Sequence, residues 1–100
     1  MLDKAKQMYD MQKKARALQK ALKDTEVTAS DQDNLVKITL SGEQHILKVD
    51  IDQSLAADGQ KQVLEDTLKK VFAEAISKSQ AVAAQKMKAE MGDLKIPGLS

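Results

Sequence analysis

Val36-Lys37-Ile38-Thr39-Leu40-Ser41-Gly42-Glu43-Gln44-His45-Ile46-Leu47-Lys48-Val49-Asp50-Ile51 is the stretch whose alternation decides the fold. Val36, Ile38 and Leu40 alternate with Lys37 and Thr39, and Leu47, Val49 and Ile51 alternate with Lys48 and Asp50. Successive strand side chains point to opposite faces, so each run reads as a strand with one apolar face. Ser41-Gly42-Glu43-Gln44 supplies turn-tolerant residues between the runs, which makes them an antiparallel hairpin. Upstream, Val27 and Ala29 show the same alternation, and Ser30-Asp31-Gln32-Asp33-Asn34 forms another turn. The reading is a three-stranded antiparallel meander over residues 26–51, whose apolar face must be covered.

The segments on either side change period. From Met1 to Lys23 there is no Gly or Pro, and good helix formers predominate. With Met1 at heptad position a, Met8, Ala15 and Leu22 fall at a, and Met11 and Leu18 at d. This predicts one long helix with a narrow apolar seam. At about 1.5 Å per residue it is about 33 Å long, more than a domain of this size needs to cover its own sheet. Part of it is expected to project or to pack on another subunit. After Asp52-Gln53-Ser54-Leu55 and Asp58-Gly59, the residues Leu64, Leu68, Val71, Phe72, Ala75, Ile76 and Val82 recur at spacings of three and four. A second long helix is predicted to end near Gly92, its first half covering the sheet and its second half leaving the core. The fold class is therefore α+β: helix, meander, helix. Residues 1–92 form one domain, and residues 93–100, with Pro97 and Gly98, are expected to be a flexible tail.

Composition narrows the function classes. One hundred residues make one small domain with a modest core, and the only aromatics are Tyr9 and Phe72, so oligomerisation is an expected supplement. The absence of Cys excludes disulfides and thiolate metal sites and fits a cytoplasmic address. The charged start, Asp3-Lys4-Ala5-Lys6, lacks the apolar core of a signal peptide, and no apolar run approaches membrane-spanning length. Net charge is only +1, but it is unevenly spread: residues 1–24 carry seven Lys/Arg against three Asp/Glu, and residues 25–58 carry two against seven.

No catalytic constellation is evident. His45 has only Glu43 as a nearby acid, so nothing completes a base or a metal site. Asp50 and Asp52 share a strand face, yet a carboxylate at a strand end commonly caps the following turn, and that use is favoured. Phosphate-binding loops, zinc spacings and nucleophile elbows are absent. The methionines could mark an adaptable binding surface, but Met8 and Met11 lie on the helix seam, and core or dimer packing is the favoured reading. The strongest functional feature is a basic stripe: Lys6, Lys13 and Lys20 share heptad position f, with Lys14, Arg16 and Lys23 alongside. Asp3 and Asp10 lie within a turn of several of these lysines, so a solvated face with local ion pairs stands beside a binding surface.

The segment Leu35 to Gly42, followed by Val49-Asp50-Ile51-Asp52-Gln53-Ser54-Leu55 and then Leu64-Glu65-Asp66, resembles the YbaB/EbfC family of bacterial nucleoid-associated proteins. Lys4-Ala5-Lys6-Gln7-Met8 with Met11-Gln12-Lys13-Lys14 is similar to that family's first helix, and Ile96-Pro97-Gly98 to its tail. Gln53 and Thr67 depart from the family pattern, standing where Pro and an apolar residue are usual. The resemblance implies a homodimer packed around a two-fold axis, with projecting helical arms that hold duplex DNA in the nucleoid, for its organisation or for gene regulation. The DNA contacts would be Lys6, Lys13, Lys14, Arg16, Lys20 and Lys23, with Lys78, Lys86 and Lys88 on the second helix. The dimer contact would be the seam Met8, Met11, Ala15, Leu18 and Leu22. Neither cofactor, metal, small-molecule substrate, membrane nor catalysis is expected. The rival is a dimeric adaptor or chaperone that holds another protein instead of DNA.

Overall fold

The computed structural model describes residues 2–91, in the order α1 (Leu2–Asp24), β1 (Glu26–Ser30), β2 (Val36–Ser41), β3 (Ile46–Ile51), a short 3-10 turn (Gln53–Ala56) and α2 (Lys61–Met91). The expected tail, 93–100, lies outside the described residues. All three strands are antiparallel in the order β1-β2-β3, as the alternation predicts. Val36, Ile38 and Leu40 of β2 are buried, together with Ala29 of β1, Leu55, and Val71 and Ala75 of α2. Val27, Leu35, Leu64, Leu68 and Phe72 pack around them. The core is aliphatic apart from the partly buried Phe72.

Local chemistry fixes the turns. In the first, the Asp31 carboxylate accepts the Val36 N–H at 2.8 Å and the Asp33 N–H at 3.3 Å, while Asn34 takes a left-handed φ of 56°. The Val36 N–H holds the Asp31 carboxyl below the ordinary carboxylate range, opposed by some desolvation. In the second turn the Ser41 hydroxyl accepts the N–H groups of Glu43 and His45, both at 3.2 Å, and Gln44 supplies the left-handed residue at φ 67°. Asp52 caps the 3-10 turn, accepting the Ser54 hydroxyl at 2.6 Å and the Ser54 N–H at 3.0 Å, bonds that lower its pKa. This is the structural use expected for a carboxylate at a strand end. Gln53, where the family pattern has Pro, simply opens that turn.

One detail departs from simple alternation. Val36 pairs with Ile51 and Ile38 with Val49, but the register breaks between Thr39 and Leu40, and Leu40 faces Ile46. Leu47 is the extra residue of a bulge. The apolar face of β3 is thus Ile46, Val49 and Ile51, rather than Leu47, Val49 and Ile51.

The helices extend well past the sheet. The molecule measures 68 × 23 × 16 Å, with a radius of gyration of 19.1 Å, against about 13 Å for a compact chain of this length. α2 crosses β1 and β2 and then runs beside α1. Leu64, Thr67, Leu68, Val71, Phe72, Ala75, Ser79, Val82 and Ala83 form its continuous half-buried or buried face. On α1 the corresponding residues are Lys14, Leu18, Ala21 and Leu22. The two helices leave the body together as an antiparallel arm, and residues 3–13 of α1 are exposed on every side.

A buried polar joint ties this arm to the sheet. Ser79, fully buried on α2, donates its hydroxyl to the Ser41 carbonyl at 2.9 Å. The Gly42 N–H reaches both the Leu22 and Thr25 carbonyls at 2.9 Å, joining the Thr25 N–H, which bonds the Leu22 carbonyl at 3.3 Å, at the end of α1. A Cβ on Gly42 would lie 2.8 Å from the Leu22 carbonyl oxygen, so only glycine fits without displacement.

Candidate nucleic-acid interface

Helical phase sorts the basic residues into classes. Lys6, Lys13 and Lys20 lie within about 40° of one another around α1, and Arg16 and Lys23 continue the same side. All five are exposed; Arg16 and Lys23 lie roughly opposite Leu18 and Ala21, the residues turned toward α2, while Lys20, Lys13 and Lys6 swing toward the flank, Lys6 about a quarter-turn from them. Lys14 is different: it is half-buried and in phase with Leu18 and Ala21, so its stem packs along the arm while its ammonium reaches water. Over residues 2–24 the charge is seven Lys/Arg against three Asp, and the exposed stripe runs about 21 Å from Lys6 to Lys20.

Ion pairing bears directly on the choice left open by the charge pattern. Among the described residues the ion pairs within 4.0 Å are Lys61–Glu65 at 3.8 Å and Lys78–Glu74 at 3.5 Å, both on α2. Among the described residues the α1 cations therefore hold no carboxylate at that distance, so neither Asp3 nor Asp10 is locked into an ion pair with the stripe. Along α1 the seven cations outnumber the three carboxylates, so their field adds along the helix, and the acidic residues of 25–58 belong to the sheet region.

The second-helix lysines do not form a comparable surface. Lys78 donates to the Thr28 carbonyl at 3.2 Å as well as pairing with Glu74, which places it over the outer edge of β1. There it covers an open strand edge, a use that charge spacing alone does not reveal. Lys86 and Lys88 are exposed but stand about 160° apart around α2, on different faces.

The expected dimer seam is divided as well. Leu18 and Leu22 are half-buried beside α2 of the same chain, whereas Met8, Met11 and Ala15 are exposed. A second apolar surface lies on the sheet. Ile46, Val49 and Ile51 point to the same side as the core of β2 yet are 60%, 43% and 37% exposed, because α2 covers β1 and β2 only. Thr67, Lys70 and Glu74 line a cleft with Ser30 and Asp31, so that flank of α2 faces β1. Phe72 and Ile76 lie on the opposite flank, beside the uncovered strand, and Ile76 is itself exposed.

His45 and Asp50 are exposed, and no group of three or more His, Cys, Asp or Glu is arranged to hold a metal among the described residues. No helix among those residues is long and apolar enough to cross a membrane. Residues 1–94 match the YbaB/EbfC DNA-binding family. The chain belongs to the YbaB/EbfC DNA-binding family. The crystal structure of the uncharacterized protein HP0035 from Helicobacter pylori is similar at a TM-score of 0.72 and 21% identity, covering 91% of this chain and 92% of that one. At that identity the likeness concerns the fold, and it extends over both helices and the sheet of this YbaB/EbfC member. Sequence reading missed the Ser41–Ser79 joint, although Ser79 falls in phase with Leu68, Phe72, Ala75 and Val82, which was the available signal.

Proposed function

We propose that this protein is a nucleoid-associated, non-catalytic DNA-binding protein that holds duplex DNA as a homodimer, through phosphates, along the first-helix arms. The observation that carries the reading is the projecting stripe Lys6, Lys13, Arg16, Lys20 and Lys23, exposed and, among the described residues, without ion pairs, on a helix that extends beyond the body. Cations held in this way exchange condensed counterions for phosphates, which drives binding without reading base sequence. The described elements include no helix-turn-helix arrangement that would present a recognition helix to base edges.

The dimer supplies the stripe twice. Ile46, Val49 and Ile51, together with Ile76, form the apolar surface that a second copy covers, completing a core that one chain leaves open. Exposed Met8 and Met11 then serve the arms, and the acidic sheet region stands away from DNA. Nucleoid organisation or gene regulation follows from many such low-specificity contacts. A gel-shift titration against unrelated duplexes at two salt concentrations tests the reading. Similar affinities that fall steeply with salt support it, whereas an absence of duplex binding at low salt rejects it in favour of a protein-binding adaptor.

A further inference from the structure

Tyr9 is one of only two aromatics in the chain, and the two are used differently. Phe72 packs against the core, whereas Tyr9 stands on α1 at 66% exposure. Its helical phase is in the middle of the basic stripe: Lys6, Tyr9, Lys13, Arg16 and Lys20 follow at alternating spacings of three and four, one continuous line along the helix. The ring is therefore on the side of α1 turned away from α2, in the part of the arm that no other described element covers. It has no part in the core, and the flanking cations would bring any polyanion directly onto it.

We propose that Tyr9 is the uncharged DNA contact of the arm, its ring laid against the sugar and base surface between the phosphates held by Lys6 and Lys13. The proposal rests on the DNA-binding reading above and adds a second kind of contact to it. Lysine–phosphate contacts weaken as salt rises because counterions compete for both partners. An aromatic ring packed against sugars and base edges gains from apolar burial, which salt leaves almost untouched. Tyr9 thus sets a floor of affinity that persists when the electrostatic part is screened. It also makes the arm sensitive to how readily the duplex opens a surface to the ring. With two arms, the dimer carries two such contacts.

The test separates the two kinds of contact on the full chain. Tyr9→Ala is expected to weaken binding to unrelated duplexes about fivefold, with an unchanged salt slope, while Tyr9→Phe keeps the ring and stays close to the parent. Lys13→Gln is expected to flatten the slope by roughly 0.9 for each phosphate contact removed. Tyr9 is also the only tyrosine, so incorporation of 3-fluorotyrosine gives a single fluorine resonance that should shift when duplex is added. An unmoved resonance on saturation with DNA, or a Tyr9→Ala protein that binds like the parent, overturns the proposal and leaves the DNA-binding reading standing. A flattened slope in Tyr9→Ala overturns it as well, because the tyrosine would then act through the charged stripe. Failure of the parent to bind duplex at low salt removes the underlying reading instead.

Discussion

Replacing Gly42 by Ala strikes the point where arm and sheet meet. The added Cβ would lie 2.8 Å from the Leu22 carbonyl oxygen and 3.1 Å from its Cα. These are backbone atoms that no rotamer change can move, so the second turn or the end of α1 has to shift. Overpacking of this kind costs about 1–3 kcal/mol. The shift also weakens the hydrogen bonds from the Gly42 N–H to the Leu22 and Thr25 carbonyls, each worth about 1 kcal/mol. A loss of about 2–4 kcal/mol lowers the melting temperature of a domain this size by about 10 °C or more. Thermal unfolding followed by circular dichroism, at one protein concentration, measures it. Gly59→Ala is the internal comparison: nothing lies within 4 Å of its Cβ, but φ is 82°, so only the backbone cost of about 1–2 kcal/mol is expected. A Gly42→Ala protein that melts with the parent, or one less affected than Gly59→Ala, would refute the close-approach argument.

Val49→Lys places a charge on the exposed face of β3 without touching the buried core, and is expected to reduce the solution mass by light scattering toward the 11.0 kDa of one chain. Met11→Lys, on the first-helix seam, is expected to leave the dimer intact; the opposite pair of results would move the interface to the seam. Asp31 has a depressed pKa in the fold, so its stabilisation is complete above its unfolded value of about 3.9 and is lost as pH falls through the lower folded value. Asp31→Asn should therefore melt below the parent at neutral pH, with the gap closing in strongly acidic buffer; a constant gap at all pH values would contradict the sign.

The meander and both helices were legible in the sequence because period two and period 3.6 are imposed on residues whose burial the fold then uses, as in Val36, Ile38 and Leu40. The bulge at Leu47 was not. Ile46 and Leu47 are both apolar, and a one-residue insertion between two apolar neighbours leaves the alternation readable in either register. Leu55 could be seen as apolar but not placed, since a short 3-10 turn has too few residues to show a period, yet it is buried in the core. The apolar side of β3 was visible, but which part of it α2 would leave open depends on where the helix crosses the sheet, which alternation does not encode. The basic stripe was legible as a line of positions. Whether Asp3 and Asp10 neutralise it depends on side-chain geometry, and Lys78 was drawn into the β1 edge by a contact fifty residues away in sequence.

The most direct measurement of the central claim is the salt slope of duplex binding for the parent and for the combined Lys6→Glu, Lys13→Glu and Lys20→Glu protein. A dimer that engages about six phosphates gives a slope of log K against log salt near −5, at about −0.9 per contact, and the value should be the same for unrelated duplexes. Reversing three exposed charges on each arm should weaken binding to all of those duplexes by similar factors and flatten the slope, with helicity and dimer mass unchanged. A triple mutant that binds as tightly as the parent with the same slope would contradict the account, and so would a loss confined to one DNA sequence.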